Sequence, residues 1–251
     1  MLKRLARPEA EPPWSFYGAI MAMAGLFIAV VIGATIAQIV LGDSPSTPVA
    51  GWTIGAVLAT VFVLVSRRSS AAEMSAMRID PADTPRRLPI LILLCIGLAV
   101  TFDLAGQIVT GDFWPAPELL GFFDLTAQNE LLYRDVSIAG WVIAFVFLVL
   151  MQPLAEELVF RGVTFPSLRS AFGPWTGLVL CAGFYAAFHL LAYPPPRPDD
   201  FTQLWYGLLL PFLDGLVFSS VRAYTGSTRA AIVAHAAFGL FAVLKAITLT
   251  G

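Results

Sequence analysis

Very few side chains in this sequence could do chemistry, and those that could stand in apolar surroundings. Ionisable groups inside long apolar runs are costly, so each is a candidate site. Here they are Asp103, Glu156, Glu157, Arg161, His189, Asp214, His235 and Lys245. The densest group is Gln152-Pro153-Leu154-Ala155-Glu156-Glu157-Leu158-Val159-Phe160-Arg161-Gly162. On a helix, Glu157 and Arg161 share a face in the favourable acid-before-base order, while Glu156 points about 100° away without a local cation. Gln152 lies one turn from Glu156, and Pro153 removes a helix hydrogen bond just before the pair. His189 and His235 are the only histidines in the chain. A carboxylate with an imidazole can deprotonate water, and a second imidazole can stabilise the oxyanion formed when that water attacks an amide. Glu156, His189 and His235 also match a catalytic zinc set of two histidines and a carboxylate with an open position. HExxH is absent, and spacing does not choose between the two chemistries. The plainer reading of the Glu157/Arg161 pair is an ion cluster snorkelling at a helix end.

The elements that must hold these groups are membrane helices. Of 251 residues, 58% are hydrophobic and 13% charged, with mean hydropathy +0.79. A typical soluble domain carries about 25% charge. The net charge of -2 gives no basic field for gripping phosphates, which excludes nucleic acid as a partner. So much apolar surface excludes disorder and makes the lipid bilayer the solvent. Seven charge-poor stretches reach the roughly 20 residues a span needs, at 14–41, 48–66, 88–109, 137–165, 174–193, 201–221 and 228–248. None alternates with period two, so a barrel is excluded. The expectation is an all-α polytopic bundle of about seven transmembrane helices forming one membrane domain. Cys95 and Cys181 have no ligand spacing and read as small core hydrophobes.

Alternate loops divide the basic residues unequally. With the N-terminus inside, 12 of the 15 Lys and Arg fall on the inner side, leaving Arg134, Arg197 and Lys245. The positive-inside rule then gives a cytoplasmic N-terminus in a plasma (inner) membrane. The outer connection 111–135 is acidic, and 115–125 could form an interfacial amphipathic helix. At 1.5 Å per residue from the inner ends, Glu156 is about 18 Å deep, His189 about 22 Å and His235 only about 12 Å. Convergence therefore requires the last span to start inside the bundle or the helices to tilt.

These motifs resemble the CAAX protease and bacteriocin-processing family, the CPBP or ABI group of intramembrane glutamic endopeptidases. The family pattern is EExxxR, F/YxxxH and HxxxN on separate membrane helices. Here Glu156-Glu157-Leu-Val-Phe-Arg161 is the first and Tyr185-Ala-Ala-Phe-His189 the second. The third departs from the pattern: it reads His235-Ala-Ala-Phe-Gly239, with glycine at the asparagine position. The resemblance covers about 148–244, which divides the chain into 1–147, outside it, and 148–251, the catalytic helices. It implies that Glu156 with His189 activates water, that Glu157 with Arg161 braces the site, and that His235 helps hold the oxyanion. Gln152 is a supporting candidate for the missing asparagine, and no cofactor is implied, zinc staying open. The implied partner is a membrane-associated protein or peptide, a lipidated CAAX tail being one option. The alternative, motivated by Gly239, is a non-catalytic scaffold, immunity or regulatory protein.

The remaining polar residues have structural readings. Asp103 and Gln107 are one turn apart and suited to a hydrogen bond with each other or with a neighbouring helix, Asp214 suits an interhelical bond before a place in the cavity lining, and Lys245 should snorkel outward. Trp14, Trp114, Trp175 and Trp205 sit where interfacial anchors do. Gly51 and Gly55 allow close approach of another helix.

Overall fold

The computed structural model describes residues 2–44, 46–80, 88–110, 138–193, 201 and 204–250, and among these there is no strand. After the short α1 (Leu2–Leu5), α2 (Phe16–Leu41) starts at Ser15, whose hydroxyl accepts the Gly18 amide. It forms an antiparallel hairpin with α3 (Thr47–Arg67). Their backbones touch: a Cβ on Gly33 would lie 2.2 Å from the Gly51 carbonyl oxygen, and one on Gly55 2.7 Å from Val30 Cα. Gly51 and Gly55 therefore meet α2, as small residues at a membrane helix crossing do. A short α4 (Ala71–Ala76) and α5 (Leu88–Thr110) follow.

Helix α6 (Ile138–Phe172) is 35 residues long and carries the Glu-Glu motif. Two π turns interrupt it, Val146–Met151 and Leu158–Thr164, and the motif occupies the α-helical segment between them, Gln152–Glu157. A third π turn, Trp205–Leu209, precedes α8 (Leu210–Thr225). Pro153, Pro166 and Pro211 each stand second in the α segment that follows a π turn. A proline supplies no amide hydrogen and crowds the carbonyl four residues back. A widened turn moves that carbonyl away, so the helix continues instead of breaking. Between them lies α7 (Pro174–Ala192), which follows Gly173 at φ 82°, and α9 (Thr228–Thr250) follows Gly226 at φ 71°.

Helices α2, α3, α5, α6, α7 and α9 are each long and apolar enough to cross a membrane. The sixth expected span, 201–221, is filled by the 5-residue π turn and the 16-residue α8, ending at Thr225 rather than 221. The acidic connection with its amphipathic segment 115–125, Trp114, Arg134 and Arg197 lie outside the described residues.

Two expectations are corrected. Trp14 is no lipid anchor: it is buried, its indole N–H donates to Ser167 Oγ at 2.9 Å and to the Val163 carbonyl, and Arg67 covers its ring. Lys245 does not snorkel; it forms an ion pair with Asp103, whose other oxygen accepts the Gln107 amide at 2.8 Å. Two half-buried polar chains that meet across α5 and α9 have no need to reach for water.

Candidate active site

Three helices bring the sequence candidates together. The last span begins inside the bundle, one of the two routes that the depth arithmetic leaves open. Thr228, at the start of α9, places its hydroxyl 2.6 Å from the Met77 carbonyl and 3.5 Å from that of Arg161. The start of α9 is thus level with Arg161, eleven residues before α6 ends, and His235 is carried up beside Glu157.

Glu157 and Arg161 form the brace. Both side chains are fully buried, with Arg161 Nη1 donating to Glu157 Oε1 at 2.9 Å. The guanidinium also donates to the Gly215 carbonyl of α8 at 2.9 Å and lies over the Tyr185 ring at 4.5 Å. One pair thereby ties α6 to α7 and α8. Burying two charges is tolerable only with such additional partners.

Glu157 has another partner that the sequence did not reveal. The same Oε1 accepts His235 Nδ1 at 3.0 Å. Phe218 stacks on the His235 ring with centroids 4.6 Å apart and planes 15° apart, so the imidazole is fixed by a carboxylate at one end and a ring on its face. The Nδ1–H donates to the carboxylate, which leaves Nε2 for other work.

Glu156 is likewise buried, at 1% exposure. Tyr193 donates its hydroxyl to Glu156 Oε1 at 3.0 Å, and Tyr185 and Gln152 face the same carboxyl. Glu156 Oε2 lies 3.7 Å from His189 Nε2. His189 Nδ1 is 3.1 Å from the Tyr185 carbonyl, which can only accept, so Nδ1 carries the hydrogen. In a neutral imidazole Nε2 is then an acceptor. Two acceptors have no hydrogen to share, and their 3.7 Å separation suits one water donating to both.

Tyr193 and its support escaped the sequence reading. Tyr185, His189 and Tyr193 fall at i, i+4 and i+8, one stripe of α7 and its C-cap, and that spacing was the available signal. Trp52 of α3 packs edge-on to Tyr193 with centroids 5.0 Å apart, so a helix from the first half of the chain steadies the tyrosine that holds Glu156.

A cavity of about 70 Å³ opens beside these groups, lined by Gln152, His189, His235 and Gly239, with Asp214 and the Asp103–Lys245 pair also on its wall. Gly239 has a packing reason. A Cβ there would lie 2.1 Å from the Leu148 carbonyl oxygen and 2.8 Å from its carbon. At this point α9 meets the backbone of the first π turn of α6, and no side chain fits. Among the described residues, no three His, Cys, Asp or Glu side chains are grouped to hold a metal ion.

The chain is therefore a polytopic helical membrane protein with a buried Glu-Glu-Arg brace facing two histidines. Residues 138–241 match the family model described as type II CAAX prenyl endopeptidase Rce1-like, so this region is similar to that family. The match runs from the start of α6 into α9 and includes every candidate residue from Gln152 to Gly239. It begins ten residues before the expected boundary at 148. No curated protein and no solved structure matches the chain.

Proposed function

We propose that this protein is an intramembrane endopeptidase of glutamic type, which hydrolyses a peptide bond in a membrane-associated protein or peptide. The observation that carries the reading is the pair of facing acceptors, Glu156 Oε2 and His189 Nε2, 3.7 Å apart beside the cavity that His189 lines. A water held between them is polarised for attack. Its oxygen adds to the amide carbon as Glu156 takes one proton, and the carbonyl oxygen becomes the oxyanion. Collapse breaks the C–N bond, and the proton on Glu156 passes to the leaving amine. Tyr193 and Gln152 position Glu156. His235 Nε2, its ring held at Nδ1 by Glu157, and the Gln152 amide supply the oxyanion donors in place of the family asparagine. The cavity lies within the helices, so the substrate is a segment delivered from the membrane or its surface, a prenylated CAAX tail being the type suggested by the family description. The inner membrane with a cytoplasmic N-terminus is the proposed setting, on the basic-residue asymmetry.

The competing reading is a non-catalytic family member, favoured by Gly239 alone. Comparing newly exposed peptide termini, proteome-wide, in cells expressing wild type or Glu156→Ala at equal membrane levels separates the two. Termini lost in Glu156→Ala establish the protease and name its substrates. Identical sets of termini support the non-catalytic reading.

A further inference from the structure

A second cavity, of about 570 Å³, opens at the end of the bundle where the basic residues gather, and it shares no lining residue with the histidine cavity. Among its described lining residues, Arg4, Arg7, Arg78, Arg169 and Arg222 stand with Glu9 and Glu11, a formal excess of three positive charges. Two of the arginines are buried, Arg169 at 2% and Arg222 at 1% exposure. Arg222 donates from Nη2 to Glu9 Oε1 at 3.1 Å and from Nε to Thr228 Oγ1 at 3.1 Å. Arg169 donates from Nη2 to the carbonyls of Leu5, at 2.9 Å, and Arg7, while its Nε faces Glu9 Oε2 at 3.8 Å. Its Nη1 is buried with no hydrogen-bond partner. A guanidinium N–H removed from water without an acceptor is expensive.

Arg78 is brought to the same cavity by its backbone. Its carbonyl accepts the Thr228 amide at 3.0 Å, and it adopts φ 56°. Its Nη2 stops 4.0 Å from where a Gly226 Cβ would stand, at the turn between α8 and α9. Donors therefore approach from the N-terminal segment, the α4 turn, the end of α6 and the end of α8. Glu9 and Glu11 are the carboxylates among the described residues of its lining, and Glu9 already accepts from Arg222. What the unpartnered Arg169 Nη1 and the excess of guanidinium charge suit is a group with several acceptor oxygens pointing in different directions and a full negative charge, which is phosphoryl chemistry.

We propose that this cavity is a binding site for a phosphoryl group, carried by an anionic phospholipid headgroup or as free phosphate. Headgroups lie at the level of such basic bundle ends, and basic pockets between membrane helices suit them. The site is independent of the protease reading, since none of its residues takes part in that chemistry.

The test uses the full-length protein, delipidated in neutral detergent, with thermal unfolding followed during titration with short-chain phosphatidylglycerol, short-chain phosphatidylcholine, inorganic phosphate or acetate. Saturable stabilisation by phosphatidylglycerol alone assigns a lipid headgroup, and saturable stabilisation by phosphate as well assigns any phosphoryl group. In either case Arg169→Gln should weaken the midpoint about tenfold or more, as loss of a charged hydrogen bond implies. If Arg169→Gln does not fold, Arg7→Gln serves, because its backbone carbonyl, which accepts from Arg169, is retained. The expected result is an unliganded melting point within about 2 °C of wild type and a similarly weakened midpoint. Equal response to acetate, to phosphatidylcholine, or in wild type and the arginine variants overturns the proposal.

Discussion

Replacing Gly239 separates two explanations of the residue at the family's asparagine position. If glycine marks a lost oxyanion donor, Gly239→Asn should gain activity. The packing of α9 on α6 predicts the opposite. A Cβ at 239 would stand 2.1 Å from the Leu148 carbonyl oxygen, and that oxygen belongs to the backbone. Ordinary contact lies above 3 Å, so the helices must part by about 1 Å, an overpacking that costs about 1–3 kcal/mol. At about 2–4 °C per kcal/mol for a chain of this size, Gly239→Ala should melt about 2–12 °C lower. Gly239 is one turn from His235, so the same displacement moves the imidazole relative to Glu156. A 1 Å error at a reacting centre costs about 10²-fold in rate. The assay pairs fluorescence-detected melting of the purified protein with the cleavage rate on any substrate named by the terminal-labelling comparison. Asparagine, being larger, should do no better than alanine. A Gly239→Asn protein that melts with wild type and cuts faster would refute the packing argument.

Other expectations follow from the same geometry. Tyr193→Phe removes a donor to Glu156 Oε1 and should lower kcat about tenfold or more with little change in melting point; an unchanged rate would remove Tyr193 from the site. Gln152→Leu should reduce kcat about 10²- to 10³-fold with KM nearly constant, if its amide serves the oxyanion, and a change confined to KM would contradict that role. Glu157→Ala leaves Arg161 buried and unpaired and should destabilise the protein by about 3–5 kcal/mol, read as loss of folded protein in detergent. A stable, active Glu157→Ala would mean the brace is dispensable.

The span pattern was legible because long apolar runs have few alternative structures. Glu156, Glu157, Arg161, His189 and His235 were legible because a buried charge is conspicuous against 58% hydrophobic residues. What the sequence hid was set by helix register. Straight α-helical geometry places Glu156 and His235 at different depths, and only the docking of Thr228 against the Met77 and Arg161 carbonyls shows where α9 starts. The π turns are equally hidden, since Pro153, Pro166 and Pro211 read as kinks until the widened turns before them are seen. Lys245 was misread because the distance of Asp103 from it along the chain says nothing of their contact. Tyr193 was missed because a phenol at a span end resembles an interfacial anchor.

The central claim is that Glu156 activates water. It is tested most directly with purified protein reconstituted into vesicles with solubilised membrane proteins of a host lacking it, in ¹⁸O-labelled water, with new C-termini read by mass spectrometry. Wild type should create C-termini carrying one ¹⁸O, with or without a strong chelator, and Glu156→Gln at equal folded amounts should create none. Labelled termini persisting in Glu156→Gln would contradict the account.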